Sequence, residues 1–192
     1  SYSPFYIDVH LGVRWGADGR LMKVWKSEQL RKNLISANNS KCWNEQHYFK
    51  EGMTWPLRAH SFAPQIMPKG CIFSIRGAVA LSDPGKELET LSLFNSSAFA
   101  YLYKTALGRF GFPEFVTGVL LKMPWATCDP MAGKALSSLA RKAWSAKRKT
   151  YSIFETSHAF LLPAALRPRL DDFDPIAIEA ELADIQTKID DI

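Results

Sequence analysis

The sequence predicts an α+β fold: a small, irregular β-rich domain with helices packed on it and a C-terminal helical segment. Short apolar runs broken by turn residues occupy residues 2–81. Longer segments with a helical period follow over residues 87–107 and 130–149, and a heptad-like seam closes the sequence at residues 178–192. A run of strands followed by a run of helices is typical of the α+β class.

The 192 residues suffice for one domain with a helical appendage. We predict an α+β domain over residues 1–127, a helical region packed on it over 128–166, and a linker with a coiled-coil-like helix over 167–192. The 47% hydrophobic content excludes a disordered chain. The first residues already have a strand-like pattern and lack a signal peptide's layout, which suggests a piece of a longer protein.

Charge is distributed unevenly along the sequence. Residues 1–150 hold 21 Lys and Arg against 10 Asp and Glu, whereas residues 151–192 hold 3 against 9. A basic body is typical of proteins that bind polyanions such as nucleic acid, and a merely solvated lysine-rich surface is the equal alternative. Three cysteines without a CxxC pair fit a reducing cytoplasm, and no apolar run reaches the ~20 residues that cross a bilayer.

The N-terminal quarter is predicted to begin with strands. Tyr2–Trp15 alternates apolar and polar residues like a half-buried strand pair, Gly16–Gly19 supplies a hairpin-like turn, and Arg20–Trp25 returns as a strand. Ser27 then has the character of a helix N-cap for residues 28–34.

The central stretch, Gly52–Arg58 followed by Gln65–Gly77, organises the predicted β unit. Pro68–Gly70 forms a turn, and Cys71–Ile75 is the predicted central strand. Arg58, Lys69 and Arg76 lie where strands give way to loops, which is where binding residues concentrate.

The following segments alternate between strand and helix patterns. Gly77–Leu81 continues the β pattern and residues 82–85 form a turn. Glu87–Leu107 has a helical period that Asn95–Ser97 divides into two helices, with Ser96 or Ser97 capping the second. Phe115–Met123 is the last predicted strand.

Asp129 and Pro130 mark the start of a basic helix. Its inward positions include Leu136, Ala140 and Ala143. The cations on its remaining faces have two possible roles. They either stabilise the helix by interacting with the negative charge at its C-terminal end or bind phosphates, and both alternatives stay open. These cations are Lys134, Arg141, Lys142, Lys147, Arg148 and Lys149.

The C-terminal part is predicted to contain two more helices joined by a linker. Residues 150–162 form the first helix and Arg167–Pro175 the linker. The tail carries an apolar seam that docks on its own body, on a second copy, or on another part of a longer protein. The seam consists of Ile178, Leu182, Ile185, Ile189 and Ile192.

The motifs of common catalytic sites are missing from the sequence. It has no phosphate-cradling loop, no zinc HExxH pair and no GxSxG nucleophile elbow. The acidic cluster Asp171, Asp172 and Asp174 lies in the predicted linker, where a solvated loop is expected rather than a metal site. We therefore predict no catalysis, metal or cofactor within this chain.

Several motifs, taken in order, resemble a known family. Gly52–Arg58 (GMTWPLR) and Met67–Phe73 (MPKGCIF) resemble the G-T-W-P-x-R and P-x-G-C-I-F pattern of large adenine-specific DNA methyltransferases. These include type IIG restriction–modification enzymes and the methyltransferases of phage-defence systems. Leu91–Leu102 is similar to the L-L-N-S-x-x-F-x-Y-L helix of their target-recognition domains, and residues 139–144, 155–160 and 185–192 resemble the regions that follow.

The resemblance implies a domain that recognises double-stranded DNA, while adenine N6 methylation belongs to another part of the parent protein. The family's catalytic N-P-P-Y motif and S-adenosylmethionine loop have no counterpart here, so S-adenosylmethionine and a methyltransferase domain are expected in the parent chain. The resemblance covers both methyltransferases alone and methyltransferases that also cleave DNA as restriction endonucleases. The alternative function is a protein–protein assembly module that uses the helical tail, with self-association through residues 176–192.

Under the DNA-binding prediction, basic residues contact phosphates and loop-borne polar residues read bases. The loop of residues 59–64, which the motif leaves free, is the predicted reading loop. Structural ion pairs or carbonyl contacts are the equal alternative for Arg58 and Arg76. The candidate DNA-binding residues are Arg58, His60, Ser61, Gln65, Lys69, Arg76, Lys134, Arg141, Lys142, Lys147 and Arg148.

Overall fold

The computed structural model describes residues 3–74, 76–109, 111–166 and 173–192, and the α+β class is confirmed. One three-stranded sheet and a larger set of helices form the described fold. The strands are β1 (Gly52–Pro56), β2 (Gln65–Met67) and β3 (Gly77–Ala80). The helices are α1 (Gly16–Arg31), α2 (Ala37–Ser40), α3 (Glu87–Asn95), α4 (Ser97–Leu107), α5 (Thr117–Leu120), α6 (Pro130–Thr150) and α7 (Pro175–Asp190), with 3₁₀ turns at Glu45–His47 and Tyr151–Ile153.

The central strand of the sheet is β1, and both of its neighbours are antiparallel to it in the order β2-β1-β3. Met53 pairs with Ile66 on one side and with Ala80 on the other. The prediction that Cys71–Ile75 is the central strand is wrong for residues 71–74, and Ile75 lies outside the described residues. The backbone of Cys71 instead accepts a hydrogen bond from the Phe49 N–H at 2.8 Å, which ties it to the segment before β1.

An aromatic cluster forms the core between the sheet and the helices. Trp55 from β1 packs edge-on against Phe62 at 5.3 Å, and Phe62 also contacts Tyr103 of α4 at 4.9 Å. The Trp55 indole donates to the Phe115 carbonyl at 2.9 Å, and the Tyr103 hydroxyl donates to the Val116 carbonyl at 2.8 Å. Burial raises the pKa of Tyr103 well above its ordinary range. Each polar ring atom is therefore paired inside the core.

The N-terminal predictions are largely wrong. Residues 3–15 form no strand pair; only Phe5 makes an isolated bridge, to Gln65, and Tyr2 lies outside the described residues. Ala17, Asp18 and Gly19 adopt positive φ inside the first turn of α1, so no hairpin forms, and residues 20–25 are helical rather than a strand. Ser27 lies inside that helix, where its hydroxyl donates to the Lys23 carbonyl at 2.9 Å.

Two later predictions are also wrong. Phe115–Met123 forms no strand. The Phe115 N–H donates to the Leu57 carbonyl at 2.7 Å, but this pairing ends at once because the chain turns into α5. Residues 150–162 form no helix beyond the end of α6 and the 3₁₀ turn. The Leu161 N–H instead folds back to the Ser152 carbonyl at 2.8 Å.

The turns and helix boundaries that depend on local signals are confirmed. Gly70 and Gly85 adopt the positive φ of the two predicted turns, at 94° and 83°. Asn95 ends α3, and the Ser96 hydroxyl caps α4 by accepting from the Phe99 N–H at 3.2 Å. Asp174, a member of the acidic cluster in the predicted linker, caps α7.

The tail helix α7 docks on the body of the same chain, which selects the first of the three alternatives. Ile178, Ile185 and Ile189 are buried, and α7 packs along α6. The Asp190 carboxylate accepts from both the N–H and the hydroxyl of Ser97 at 2.7 Å. Arg167–Asp172 of the predicted linker, including Asp171, lies outside the described residues. No helix in the described parts of the chain is long and apolar enough to span a membrane.

Candidate nucleic-acid interface

Helix α6 packs on the core through one face. The Asp129 carboxylate caps its first turn by accepting from two backbone N–H groups at 2.8 and 3.1 Å. Leu136, Ala140 and Ala143 are buried against the core. The Ser92 hydroxyl of α3 donates to the Leu136 carbonyl at 2.8 Å, which fixes α6 against α3.

The opposite face of α6 carries a stripe of cations, which we call the basic stripe. Because an α-helix turns about 100° per residue, its members lie within an arc of about 120°. The helix contains no Asp or Glu between residues 130 and 150, and no ion pair to these cations occurs among the described residues. The basic stripe consists of the exposed residues Lys134, Arg141, Lys142, Arg148 and Lys149.

Lys147 and Arg148 differ from the other predicted cations in position and in their contacts within the protein. Lys147 is only half exposed and lies about 160° around the helix from Ser145, which sits at the middle of the basic stripe. Lys149, which was not a candidate site residue, occupies the stripe instead. Arg148 stacks over the Trp144 ring at 5.8 Å, so it also has a structural contact.

The C-terminal half of α6 is held in place by the buried side chain of Tyr6. Tyr6 packs edge-on against Trp144 at 5.6 Å and donates its hydroxyl to Asp8 at 3.1 Å. Burial, with a further contribution from Asp8, raises the pKa of Tyr6 to about 12. The second carboxylate oxygen of Asp8 accepts from the backbone N–H of His158 at 3.1 Å. Residues far apart in sequence thus fix the orientation of the C-terminal half of α6.

The residues near the predicted reading loop are mostly engaged within the protein. Arg58 forms an ion pair with Glu114, and its Nε donates to the carboxylate at 2.5 Å, so the structural alternative is the one observed. The His60 ring lies edge-on to Phe112 at 5.0 Å. The Ser61 hydroxyl accepts from Lys104 at 3.3 Å.

Most of the predicted reading loop is packed in the core, and its two candidate residues keep some exposed surface. Ala59, Phe62 and Ala63 are at most 7% exposed, and only His60 and Ser61 present surface from residues 59–64. The Asn95 amide donates to the Pro64 carbonyl at 3.0 Å and holds the loop against α3. Of this loop, His60 and Ser61 are therefore the residues whose DNA-binding role stays a prediction.

Gln65 is buried at the edge of the sheet, which leaves little of its surface available for contact with bases. It lines a groove together with Arg76, whereas Lys69 lies exposed at the neighbouring turn. Among the described residues, no hydrogen bond, ion pair or ring contact joins the groove, the loop at residues 58–61 and the basic stripe. The structure therefore separates the predicted site residues into three groups.

The far walls of this groove escaped the sequence prediction. They come from residues 7–43, which contain Lys26, Lys41 and Trp43. The only sequence signal was the mixture of aromatic and basic residues in that segment, without a motif.

Comparisons with known proteins add no further assignment. No family model matches this chain, and no curated protein matches it with significant similarity.

Proposed function

We propose that this chain is a double-stranded DNA recognition domain that binds phosphates through the basic stripe of α6. The supporting observation is a row of exposed cations, free of ion pairs within the described residues, on a helix whose other face is fixed in the core. From residue 134 to 149 the stripe is about 22 Å long at 1.5 Å per residue. This length matches the axial rise of about six to seven base pairs at 3.4 Å each.

The resemblance to adenine-specific DNA methyltransferases supports the same function. Under this proposal the chain selects DNA for an N6-adenine methyltransferase or a restriction–modification enzyme of the cytoplasm, including a phage-defence system. The methyl transfer and S-adenosylmethionine belong to a methyltransferase domain of the parent protein. Phosphate contacts by the stripe fix the register, and exposed residues such as Lys69 and Arg76 remain available for further contacts.

The alternative function is an assembly module that uses the tail. It is less well supported, because most of the apolar seam of α7 is covered by the same chain. Its buried isoleucines face α6, and Gln186 donates to the Asn95 carbonyl at 3.0 Å. Self-association through Ile178, Ile185 and Ile189 would therefore require α7 to leave its place, whereas Ile176 and Ile192 are exposed. The DNA-binding surface requires no such rearrangement.

Binding of the full chain to a pool of mixed-sequence duplexes at 50 and 200 mM salt tests the proposal. We expect binding at 50 mM salt and a loss of at least about 100-fold in affinity at 200 mM, because phosphate contacts release counterions. Absence of binding at 50 mM salt would refute the proposal. Concentration-dependent self-association in sedimentation experiments, without DNA binding, would favour the assembly module instead.

A further inference from the structure

The edge of the sheet at β2 is closed by a segment of the same chain. The Phe5 N–H donates to the Pro64 carbonyl at 3.0 Å, and the Phe5 carbonyl accepts from the Ile66 N–H at 3.2 Å. These two bonds occupy the outward backbone groups on either side of Gln65. An edge whose backbone groups are paired in this way offers no template for a further strand.

The opposite edge, at β3, has backbone groups without partners. Pro56 of β1 lies opposite Gly77 of β3, and proline has no N–H, so this pair cannot exchange two hydrogen bonds. Antiparallel pairs alternate between bonded and non-bonded, so the pair two positions along, Thr54 and Val79, is also non-bonded. The N–H and C=O of Val79 therefore point away from β1. Neither group has a hydrogen-bond partner within the described parts of the chain.

A cleft of about 390 Å³ lies beside this free edge. One wall is formed by Ala78, Val79 and Leu81, and no residue of β1 or β2 lines the cleft, so it lies on the side of β3 that faces away from β1. Neighbouring strands lie about 4.8 Å apart, so an extended chain in the cleft can pair with β3. The residues of the other wall are Trp43, Asn44, His47, Phe73, Ser74 and Thr117.

The free edge is closed at one end by Ser74. The Gly77 N–H donates to the Ser74 carbonyl at 3.0 Å, and the two residues form an isolated antiparallel bridge. Ser74 thus takes the place that an added strand would occupy beside Gly77. A strand that pairs with Val79 must end or turn away when it reaches this point.

The two ends of the free edge carry opposite charges. Arg76 directly precedes β3, and Asp83 follows two residues after Leu81. Both are exposed, and neither forms an ion pair among the residues that the structure describes. A peptide antiparallel to β3 would end beside Arg76, so its C-terminal carboxylate would be attracted there. A parallel peptide would bring its carboxylate to Asp83, where the like charges repel.

We propose that the outer edge of β3 binds the C-terminal segment of a partner protein as an added antiparallel strand, with its terminal carboxylate beside Arg76. Val79 exchanges two hydrogen bonds with the second-to-last residue of that segment. The Leu81 N–H, which faces outward by the same alternation, donates to the carbonyl two residues earlier.

This occupant fits the edge in three respects. Its backbone supplies the donor and acceptor that Val79 lacks, its end coincides with the closure by Ser74, and its carboxylate complements Arg76. In such strand addition the main-chain hydrogen bonds provide affinity, and the side chains that enter the cleft provide specificity. No residue of α6 lines the cleft, so the inference does not depend on DNA binding.

Fluorescence anisotropy of the full chain with a labelled peptide TVTVT tests the proposal, because threonine and valine favour the extended conformation. We expect the peptide with a free C-terminus to bind, and its amidated form to bind about 2- to 5-fold more weakly, since an exposed ion pair is lost. In Arg76→Gln the two forms should bind equally. No binding at about 1 mM peptide, or equal binding of both forms to the unaltered chain, would overturn the proposal.

Peptides with one methylated backbone nitrogen test the pairing without altering the protein. Methylation of the second-to-last residue removes the N–H that donates to the Val79 carbonyl and should abolish binding. Methylation of the third-to-last residue is the matched control, because its N–H points away from β3, and binding should persist. Equal losses from the two methylations would contradict the pairing.

Amide hydrogen exchange measured by NMR locates the bound strand. In the free chain the Val79 amide should exchange rapidly and the amides of Ala78 and Ala80, which face β1, slowly. The free-carboxylate peptide should slow exchange at Val79 and Leu81. Protection of Val79 without peptide, together with concentration-dependent self-association in sedimentation, would show that a second copy occupies the edge and would overturn the proposal.

Discussion

Replacing Lys134, Arg141 and Lys142 with glutamine should lower the salt dependence of DNA binding by a defined amount. Each phosphate contact contributes about 0.9 to the slope of log affinity against log salt concentration. The triple variant should therefore have a slope smaller by about 2.7. The three side chains are exposed and form no ion pair among the described residues, so their replacement breaks no ion pair there.

The same arithmetic gives the change in affinity. If Lys134, Arg141, Lys142 and Lys149 each contact one phosphate, raising salt from 50 to 200 mM weakens wild-type binding by about 150-fold. The triple variant retains one of these contacts and should weaken by only about 3.5-fold.

Fluorescence anisotropy with a labelled mixed-sequence duplex measures both slopes. Lys147→Gln, on the same helix but off the basic stripe, is the matched control and should keep the wild-type slope. Glutamine has nearly the helix propensity of lysine and arginine, so melting temperatures should remain close. An unchanged slope in the folded triple variant would refute the assignment of the stripe.

Three further predictions concern the groups that hold the fold. Arg58→Gln should change the free energy of unfolding by less than about 1 kcal/mol, because its pair with Glu114 is exposed, and a DNA-binding slope lowered by about 0.9 would instead reveal a phosphate contact. Ile185→Ala should lower the free energy of unfolding by about 2–5 kcal/mol in urea titrations, and a smaller loss would mean that α7 is loosely docked. Tyr6 is held protonated, so its contribution to stability is complete below its ordinary pKa and is lost as the pH rises towards about 12. Tyr6→Phe should therefore flatten the alkaline fall of the urea midpoint, and an equally steep fall would contradict this.

The features that could be predicted from the sequence depend on neighbouring residues. Asp129 followed by Pro130 identifies the start of α6, and Asn95–Ser97 identifies the break between α3 and α4, where Ser96 is the cap. The glycine turns were predictable because only glycine accepts their backbone conformation readily. The cations of α6 were identified as a group because they share one helix.

The features that could not be predicted depend on distant contacts. Leu21, Val24 and Trp25 were interpreted as part of a strand, although their spacing of three and four residues fits the exposed face of α1. Short apolar runs allow both interpretations. The burial of Gln65 depends on its bridge to Phe5, sixty residues earlier in the chain, and no local pattern indicates that pairing.

The predicted reading loop, residues 59–64, shows the same limitation. Residues 59–64 have the composition of a surface loop at their middle, where His60 and Ser61 lie. Phe62 nevertheless fills the core between Trp55 and Tyr103. A motif with a free segment inside it does not reveal whether that segment faces solvent, because burial is decided by the helices that follow in the chain.

Lysine acylation of the full chain, mapped by mass spectrometry with and without bound duplex, tests the DNA-binding surface most directly. The account predicts that Lys134, Lys142 and Lys149 lose reactivity when the duplex is bound. Lys147 and the exposed Lys50 should react equally in both states. Bound duplex that leaves the three stripe lysines fully reactive would contradict the assignment of α6 as the phosphate-binding surface.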